Sequence, residues 1–290
     1  MTRSMEGRGR EPQTFVTKDF HVHEYHSSDA PGATVAGYCR VAEERGIDEI
    51  GFATHFIIAG PDIEHGISPD LIPEYFEEIE AAQASTDVKL RVGLEVDYFP
   101  GEERRLATVL DEYPFDFILG SLHYIRGHDI GSRSGSIAFF SGRRIEEALG
   151  VYYDGWREAV ESGLFDVMAH PDYFRKYLHL ARHLHPTFEE YGPTVFGAID
   201  SLRSCGVGVE VNSSGYRHGI GDCYPLLEFM RAVREAGVDA VIIGSDAHAV
   251  QGLGVKLDET VRRLEAAGYS HVSVYEGRRN RRLPLDDVLK

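Results

Sequence analysis

The 290-residue chain has few of the features on which secreted, membrane and nucleic-acid-binding proteins depend. Its three cysteines, Cys39, Cys205 and Cys223, are far apart and form no metal-binding pattern, so we expect free thiols in a reducing compartment, by default the cytoplasm. No apolar run approaches the ~20 residues that a membrane-spanning helix needs. Residues 1–14 are polar and rich in Arg and Glu, which predicts a flexible tail and not a secretory signal.

Basic residues are also scarce. The 30 Lys and Arg residues stand against 47 Asp and Glu residues, giving a formal net charge of −17 at pH 7. Because nucleic acids and anionic membranes select basic surfaces, neither is expected as a partner. An acidic enzyme can still bind a small anion where bound metal ions and a few arginines make the site locally positive. Nothing in the sequence indicates an oligomeric state.

Short β-rich runs alternate with helical patterns along the chain, which is typical of βα units around a parallel sheet. The predicted strands are Thr14–His21, Glu49–Thr54, Lys89–Val96, Asp116–Ser121, Asp166–Ala169, Val207–Val211, Ala240–Gly244 and, more weakly, His271–Tyr275. The predicted helices are Thr34–Arg45, Pro69–Ala84, Arg143–Glu161, Thr187–Ser204, Tyr224–Glu235 and Leu257–Ala267. Without any linker-like segment, the pattern predicts one domain over residues 15–290 with seven or eight βα units.

Two long loops remain, at residues 56–68 and 124–142, and the second contains a Gly/Ser/Arg-rich stretch at 131–136. Loops of this length in a compact domain are often functional lids, with surface decoration as the alternative. The basic run at 278–282 could suggest a polyanion site, but in so acidic a chain we expect a solvated C-terminal segment.

Residue types that bind metal ions follow nearly every predicted strand. They are His21, His23, His55, Glu95, His123, His170, Asp246 and His248, with Asp29 in the loop after the first strand. The C-terminal ends of parallel barrel strands converge on one rim, so these side chains should meet there. Imidazoles suit zinc, iron and manganese, and carboxylates can bridge two ions. Because no cysteine joins the set, an open catalytic site is favoured over a closed structural zinc site.

At these motifs the chain resembles the PHP (polymerase and histidinol phosphatase) family, most closely its monofunctional histidinol-phosphate phosphatases of histidine biosynthesis. The resemblance runs from about residue 18 to residue 252. Its motifs are Asp19-Phe20-His21-Val22-His23, Gly51-Phe52-Ala53-Thr54-His55, Gly93-Leu94-Glu95-Val96-Asp97, Leu119-Gly120-Ser121-Leu122-His123, Ala169-His170-Pro171-Asp172, Glu210-Val211-Asn212-Ser213-Ser214-Gly215 and Ser245-Asp246-Ala247-His248.

The resemblance implies an α/β fold, a distorted (β/α)7 TIM-like barrel, with two or three divalent ions (Zn, Mn or Fe) in a trinuclear centre. The ligand sets it implies are His21, His23, Glu95 and Asp246 for the first ion, bridging Glu95 with His123 and His170 for the second, and Asp29, His55 and His248 for the third. It further implies attack of a metal-bound hydroxide on phosphorus, with Glu95, Asp246 and His248 as catalytic residues. His26 is the alternative to Asp29. Relatives usually carry an acid before the second-motif histidine, where this chain has Thr54.

Two arginines on strand-end loops, Arg175 and Arg217, resemble phosphate-contacting positions of the family, with a solvated surface charge as the alternative for each. Lys176 is a weaker candidate. Asp97 and Asp172 could position a ligand or the substrate amine, or could be partly buried with backbone partners. The group that protonates the leaving oxygen cannot be identified from sequence, and His218 is only a suggestion.

These features predict a metal-dependent phosphomonoester hydrolase acting on L-histidinol phosphate, a small-molecule substrate. One alternative keeps the chemistry but acts on another phosphomonoester, a phosphotyrosine or a nucleotide. A second is a metal-dependent amidohydrolase, although such barrels usually bridge their metals with a modified lysine and this third strand offers Glu95. The third is a non-enzymatic metal-binding module.

Overall fold

Seven parallel strands form the central sheet in a computed structural model that describes residues 15–182 and 187–290. In sheet order these strands are β1 (Lys18–Val22), β2 (Glu49–Phe56), β3 (Lys89–Asp97), β4 (Phe117–Ser121), β7 (Val167–Met168), β8 (Gly208–Asn212) and β9 (Val241–Gly244). The sheet curls until β1 meets the segment after β9, where the His23 N–H donates to the Ala247 carbonyl at 2.9 Å. The predicted distorted (β/α)7 barrel is thus confirmed. The tail predicted at residues 1–14 lies outside the described residues.

Helices cover the outside of the barrel. They are α1 (Val35–Arg45), α2 (Ile72–Gln83), α3 (Glu103–Glu112), α4 (Arg133–Phe140), α5 (Ile145–Glu161), α6 (Arg175–Arg182), α7 (Phe188–Cys205), α8 (Ser214–Arg217), α9 (Leu227–Glu235), α10 (Leu257–Ala266) and α11 (Leu285–Val288). Local capping sets their ends: the Thr34 side chain accepts the Gly37 N–H, and Thr187 and Glu190 form a capping box before α7. Across the described residues, no helix is long and apolar enough to cross a membrane.

The strand register places the functional side chains at one level. In the β2–β3 pair, His55 lies opposite Glu95, and in the β3–β4 pair Asp97 lies opposite Ser121. The barrel interior is filled by apolar side chains, where Phe20 and Phe117 pack edge to face with ring centroids 5.7 Å apart. Because both faces of the sheet are covered, its strands are almost continuously buried.

The weak eighth predicted strand exists, but it lies outside the barrel sheet. It is β10 (His271–Glu276), which pairs antiparallel with β11 (Arg279–Pro284). Between them, Arg278 forms an ion pair with Asp166 at 3.0 Å and donates its backbone N–H to the Asp116 carbonyl. Since Asp116 and Asp166 directly precede β4 and β7, this hairpin lies against the N-terminal ends of the strands. The run predicted at 278–282 to be solvated does expose most of its side chains, and it does so as an ordered strand.

The second long predicted loop is also largely ordered structure. It contains a short hairpin of β5 (Tyr124–Ile125) and β6 (His128–Asp129), followed by α4. Gly135 of α4 packs directly on β6, and a Cβ atom there would overlap the Asp129 carbonyl oxygen. Glycine is thus required for close packing and not for flexibility. The prediction of a loop at 124–142 was wrong because a glycine required for close packing and a glycine required for flexibility look the same in a sequence.

Candidate active site

The structure brings all nine predicted metal ligands to the C-terminal rim of the barrel. A cavity of about 400 Å³ opens there, and seven of the nine line its wall: Asp29, His55, Glu95, His123, His170, Asp246 and His248. The other two, His21 and His23, are fully buried and contact Glu95 and Asp246 from below. Residues separated by more than two hundred positions in the chain therefore form one side-chain cluster.

Glu95 lies at the centre of this cluster and is 1% exposed. Its Oε2 atom is 3.4 Å from His21 Nε2, 3.5 Å from His23 Nε2 and 3.0 Å from His55 Nδ1. Its Oε1 atom instead faces His170 Nε2 at 2.7 Å and His123 Nε2 at 3.6 Å. The two carboxylate oxygens thus point to two different sets of histidines, which is the arrangement that a bridging carboxylate requires.

Pairs of imidazole nitrogens face each other in the cluster. His21 Nε2 is 3.1 Å from His23 Nε2, and His55 Nε2 is 3.4 Å from His248 Nε2. His21 Nδ1 is 2.7 Å from a carboxylate oxygen of Glu210, which can only accept, so Nδ1 carries a proton. Burial opposes protonation of His21, but Glu210 and Glu95 outweigh it and raise its pKa well above the usual range. Nitrogens gathered this closely suit a divalent cation once it displaces the protons that the cluster holds.

Three overlapping groups in the cluster each have ligand atoms within 4.8 Å of one another: His21–His23–Asp246, His21–Glu95–His170 and His23–His55–His248. The donor set of imidazole nitrogens and carboxylate oxygens therefore fits divalent metal ions. The first group is part of the first ligand set implied by the family resemblance. The other two combine residues from different sets, so the distribution of ligands among ions stays a prediction.

Electrostatic interactions keep the acids of the cluster ionised. Burial alone would raise the pKa of Glu95, but His21, His123 and His55 hold it well below its usual range. Burial likewise opposes ionisation of Asp246, and the neighbouring His23 and His21 reverse that effect and lower its pKa. Both carboxylates are thus charged at neutral pH, as metal ligands must be.

The imidazoles of the cluster differ from one another. Burial, followed by the charges of His248 and His55, lowers the pKa of His23 well below its usual range. Burial also opposes protonation of His55, but Glu95 and Asp29 outweigh it and raise its pKa to about 10. Metal binding to His55 must therefore displace a proton at neutral pH.

The structure separates the two candidates for the third ligand set. Asp29 Oδ2 lies 3.0 Å from His248 Nε2 and 3.8 Å from His55 Nε2. His26 instead contacts Glu24 through its Nδ1 atom at 2.9 Å. Asp29 is therefore the residue that joins this part of the cluster, and His26 belongs to a separate group of polar side chains.

Thr54 does not orient His55, because its hydroxyl donates to the buried Glu24 at 2.6 Å. The backbone N–H of His55 donates instead to the Ser27 hydroxyl at 3.0 Å. The same hydroxyl lies 3.2 Å from His23 Nδ1 and is fully buried. Ser27 therefore positions two of the proposed ligands at once, a role that the sequence did not indicate.

We expect Ser27→Ala to weaken metal binding by about 10- to 100-fold, because orienting partners of metal ligands contribute this much. The measurement is metal affinity by competition with a chromogenic chelator. Ser28→Ala is the matched control. The Ser28 side chain is exposed, so the metal affinity of this variant should be unchanged. Equal affinity in both variants would contradict the assigned role of Ser27.

Glu210 is a second positioning residue that the sequence analysis quoted in a motif but gave no role. One oxygen contacts His21 Nδ1, and the other accepts the His170 N–H at 2.9 Å. A carboxylate within the buried strand Gly208–Asn212 was the available signal, because such a charge needs partners. Gly244 is required beside it, since a Cβ atom there would overlap both Glu210 and His21.

Backbone strain marks the same part of the structure. His170 has φ 25° and Asp246 has φ 54°, both in the left-handed region that side chains other than glycine rarely occupy. Such strain concentrates at functional sites, where the surrounding contacts hold it. Asp97 positions a third proposed ligand, accepting the backbone N–H of His123 at 3.1 Å and facing its Nδ1 atom at 3.1 Å.

The two predicted phosphate-binding arginines lie in different places. Arg217 lines the cavity and donates to the carbonyl of Asp246 at 2.6 Å. Arg175 is not among the residues of the cavity wall; it donates to buried Asp172 at 3.1 Å and to the Cys223 carbonyl at 3.0 Å. Arg217 therefore faces the cavity directly, whereas Arg175 is held by contacts outside the cavity wall; phosphate binding by either arginine stays a prediction.

Two further side chains singled out from the sequence, Lys176 and His218, lie in the cavity wall. Lys176 lines the cavity, with its ammonium 2.8 Å from the Tyr173 hydroxyl. His218 also lines it and contacts the Tyr224 hydroxyl at 3.1 Å. Burial, and then the charge of Lys176, lower the pKa of His218 to about 3. Its imidazole is thus neutral at pH 7, which argues against His218 as the proton donor.

Comparison with known proteins agrees with this geometry. A family model described as the PHP domain matches residues 19–214. The chain belongs to the PHP family. A probable histidinol-phosphatase from Deinococcus radiodurans is 28% identical to this PHP protein over 253 residues, which cover 86% of the chain and 93% of the relative. A histidinol-phosphatase from Lactococcus lactis is 22% identical over 263 residues, covering 89% and 94%.

Solved PHP structures share the fold. The histidinol phosphate phosphatase of Lactococcus lactis, crystallised with zinc, L-histidinol and phosphate, superimposes with a TM-score of 0.78 at 21% identity, covering 91% of this chain and 98% of that one. A putative histidinol phosphatase from Listeria monocytogenes gives a TM-score of 0.71 at 22% identity, covering 83% and 98%. The barrel is therefore conserved at low sequence identity.

Proposed function

We propose that this PHP protein hydrolyses L-histidinol phosphate to L-histidinol and phosphate with the help of bound divalent metal ions. The observation that carries the proposal is the cluster of six histidines around Glu95 at the mouth of the barrel. The names of the relatives and the ligands of the Lactococcus structure support this choice of substrate. We further propose that residues 15–290 form the one catalytic domain and, from its three free cysteines, that the protein acts in the cytoplasm.

The metal complement we propose is two or three ions of Zn, Mn or Fe. They would be held by His21, His23, Asp29, His55, Glu95, His123, His170, Asp246 and His248. When bound, such ions act as Lewis acids toward phosphoryl oxygens and lower the pKa of water from ~15.7 toward about 7. Of these residues, we propose Glu95, Asp246 and His248 as the catalytic residues.

The chain's own cations would bind the phosphate of the substrate. The Arg217 guanidinium can contact two phosphoryl oxygens at once, and its position is fixed by the carbonyls of Ser245 and Asp246. Lys176, held by Tyr173, supplies a second positive charge in the same wall. The overall charge of −17 would otherwise repel an anionic ester, so these local charges are needed for binding.

A substrate panel with metal analysis tests the proposal. We expect at least two ions per chain, and kcat/KM for L-histidinol phosphate to exceed that for p-nitrophenyl phosphate, phosphotyrosine and nucleoside monophosphates by at least about tenfold. A stronger preference for one of the others would keep the phosphatase but change its substrate. Hydrolysis of amides with no phosphate ester turned over would indicate an amidohydrolase, and no turnover at full metal content a non-enzymatic module.

A further inference from the structure

Five carboxylates line the active-site cavity, and one of them differs from the rest. Glu95, Asp246 and Asp29 face histidines of the cluster, and Asp97 holds His123 through both the ring and the backbone. Among the described residues, Asp129 contacts no histidine and forms no ion pair. The cavity therefore presents one negative charge that the proposed metal site does not use.

Asp129 is held rigidly in the cavity wall. Its Oδ1 atom accepts the backbone N–H groups of Gly131 at 2.8 Å and Ser132 at 3.2 Å. The next residue, Ile130, donates its N–H to the carbonyl of His123 at 2.8 Å, which ties this strand to a proposed metal ligand. On its other side, Gly135 of α4 packs against the Asp129 backbone. The carboxylate is thus fixed beside the cluster, with Oδ2 making no hydrogen bond to the described residues.

A fixed, partly buried carboxylate is favourable when a cation binds it. The two candidates that the sequence offered for an amine are already engaged elsewhere. Asp97 is occupied by His123, and Asp172 lies outside the cavity wall, bound to Arg175 and to the Leu226 N–H. The cationic side chains of the wall, Lys176 and Arg217, suit the phosphate. The charge of Asp129 acts on Lys176, but the two form no ion pair, so Asp129 is open to a positive group on the organic part.

We propose that Asp129 binds the ammonium group of the substrate and so selects phosphate esters that carry a primary amine. This inference rests on the proposed function, because L-histidinol phosphate has an ammonium on the carbon next to its phosphate-bearing carbon. The alternative is that Asp129 only accepts the two N–H groups of its turn. Asparagine can accept the same two bonds through its amide oxygen, so Asp129→Asn separates charge from turn structure.

The experiment compares two substrates, L-histidinol phosphate and the same ester without its amine, 3-(imidazol-4-yl)propyl phosphate. In the wild-type metal-loaded enzyme, we expect kcat/KM to be about 10- to 100-fold higher for the amine-bearing ester, the effect of one charged hydrogen bond. Asp129→Asn should lose that preference because its kcat/KM falls for the amine-bearing ester only. For the other ester, kcat/KM should stay within about twofold of the wild-type value. Asp129→Glu, which keeps the charge, should recover part of the preference.

Asp62→Asn is the matched control, because Asp62 accepts the Tyr124 hydroxyl at 2.5 Å but does not line the cavity; its preference should match wild type. If Asp129→Asn does not fold, Asp129→Ser replaces it, since a hydroxyl can still accept a turn N–H. Equal losses of kcat/KM on both esters in the Asp129 variant, or a wild-type enzyme with no preference between the esters, would overturn this inference but not the proposed function. Turnover of neither ester by wild type would overturn the proposed function and this inference with it.

Discussion

Glu95→Gln is expected to lower kcat/KM for phosphate esters by about 1000-fold or more, the loss of several kcal/mol of transition-state stabilisation. The substitution keeps the volume of the side chain and removes its negative charge. Glu95 faces five histidines through two oxygens, so losing the charge should affect every part of the cluster that it joins. Bound metal, measured by elemental analysis of the purified variant, should fall by at least one ion per chain.

The fold of this variant should remain intact, because glutamine fits the same space and the apolar layer around Phe117 is unchanged. Glu103→Gln is the matched control. Glu103 is an acid of α3 that contacts Tyr98 away from the cavity wall, and its loss should leave activity and metal content unaltered. If Glu95→Gln retained both turnover and metal while its circular dichroism was native, Glu95 would not be the bridging residue.

The barrel and the composition of the cluster could be predicted because both depend on local patterns. Buried parallel strands produce continuous apolar runs, and a histidine or acid directly after such a run must lie at the C-terminal rim. This reasoning predicts that His55 and Glu95 lie at the same rim, and the register of the structure sets them opposite each other. The sequence allows seven or eight barrel strands, because the periodicity of β10 does not distinguish a barrel strand from an antiparallel hairpin.

The supporting contacts could not be predicted, because they join residues far apart in the chain. Glu210 contacts His21 across 189 positions, and the Ser27 hydroxyl reaches His55 across 28. Arg175 and Arg217 looked equivalent in sequence, since both follow a strand-end motif. Their difference arises from side-chain direction: buried Asp172 holds the first arginine away from the cavity, and the Asp246 carbonyl holds the second within it. Only packing in three dimensions decides such choices.

Removal of metal by a chelator is expected to abolish turnover and to lower the melting temperature by about 10 °C for each tightly bound ion. A ligand present at 1,000 times its Kd stabilises a protein by about 4.1 kcal/mol, and each kcal/mol corresponds to roughly 2–4 °C in a domain approaching this size. The physical reason lies in the facing nitrogens of His21 and His23 at 3.1 Å and of His55 and His248 at 3.4 Å. Without a cation, each of these nitrogens faces another imidazole instead of a metal ion.

Differential scanning calorimetry with and without chelator measures this stabilisation, and adding back Zn, Mn or Fe singly shows which ion restores both stability and turnover. Glu95→Gln provides the internal comparison: because it already lacks a ligand, chelation should lower its melting temperature by less than that of wild type. An unchanged melting temperature together with full activity in protein shown to be free of metal would mean that the cluster acts through its own protons. The histidines around Glu95 would then form a hydrogen-bonded network, and hydrolysis would have to be explained without a cation.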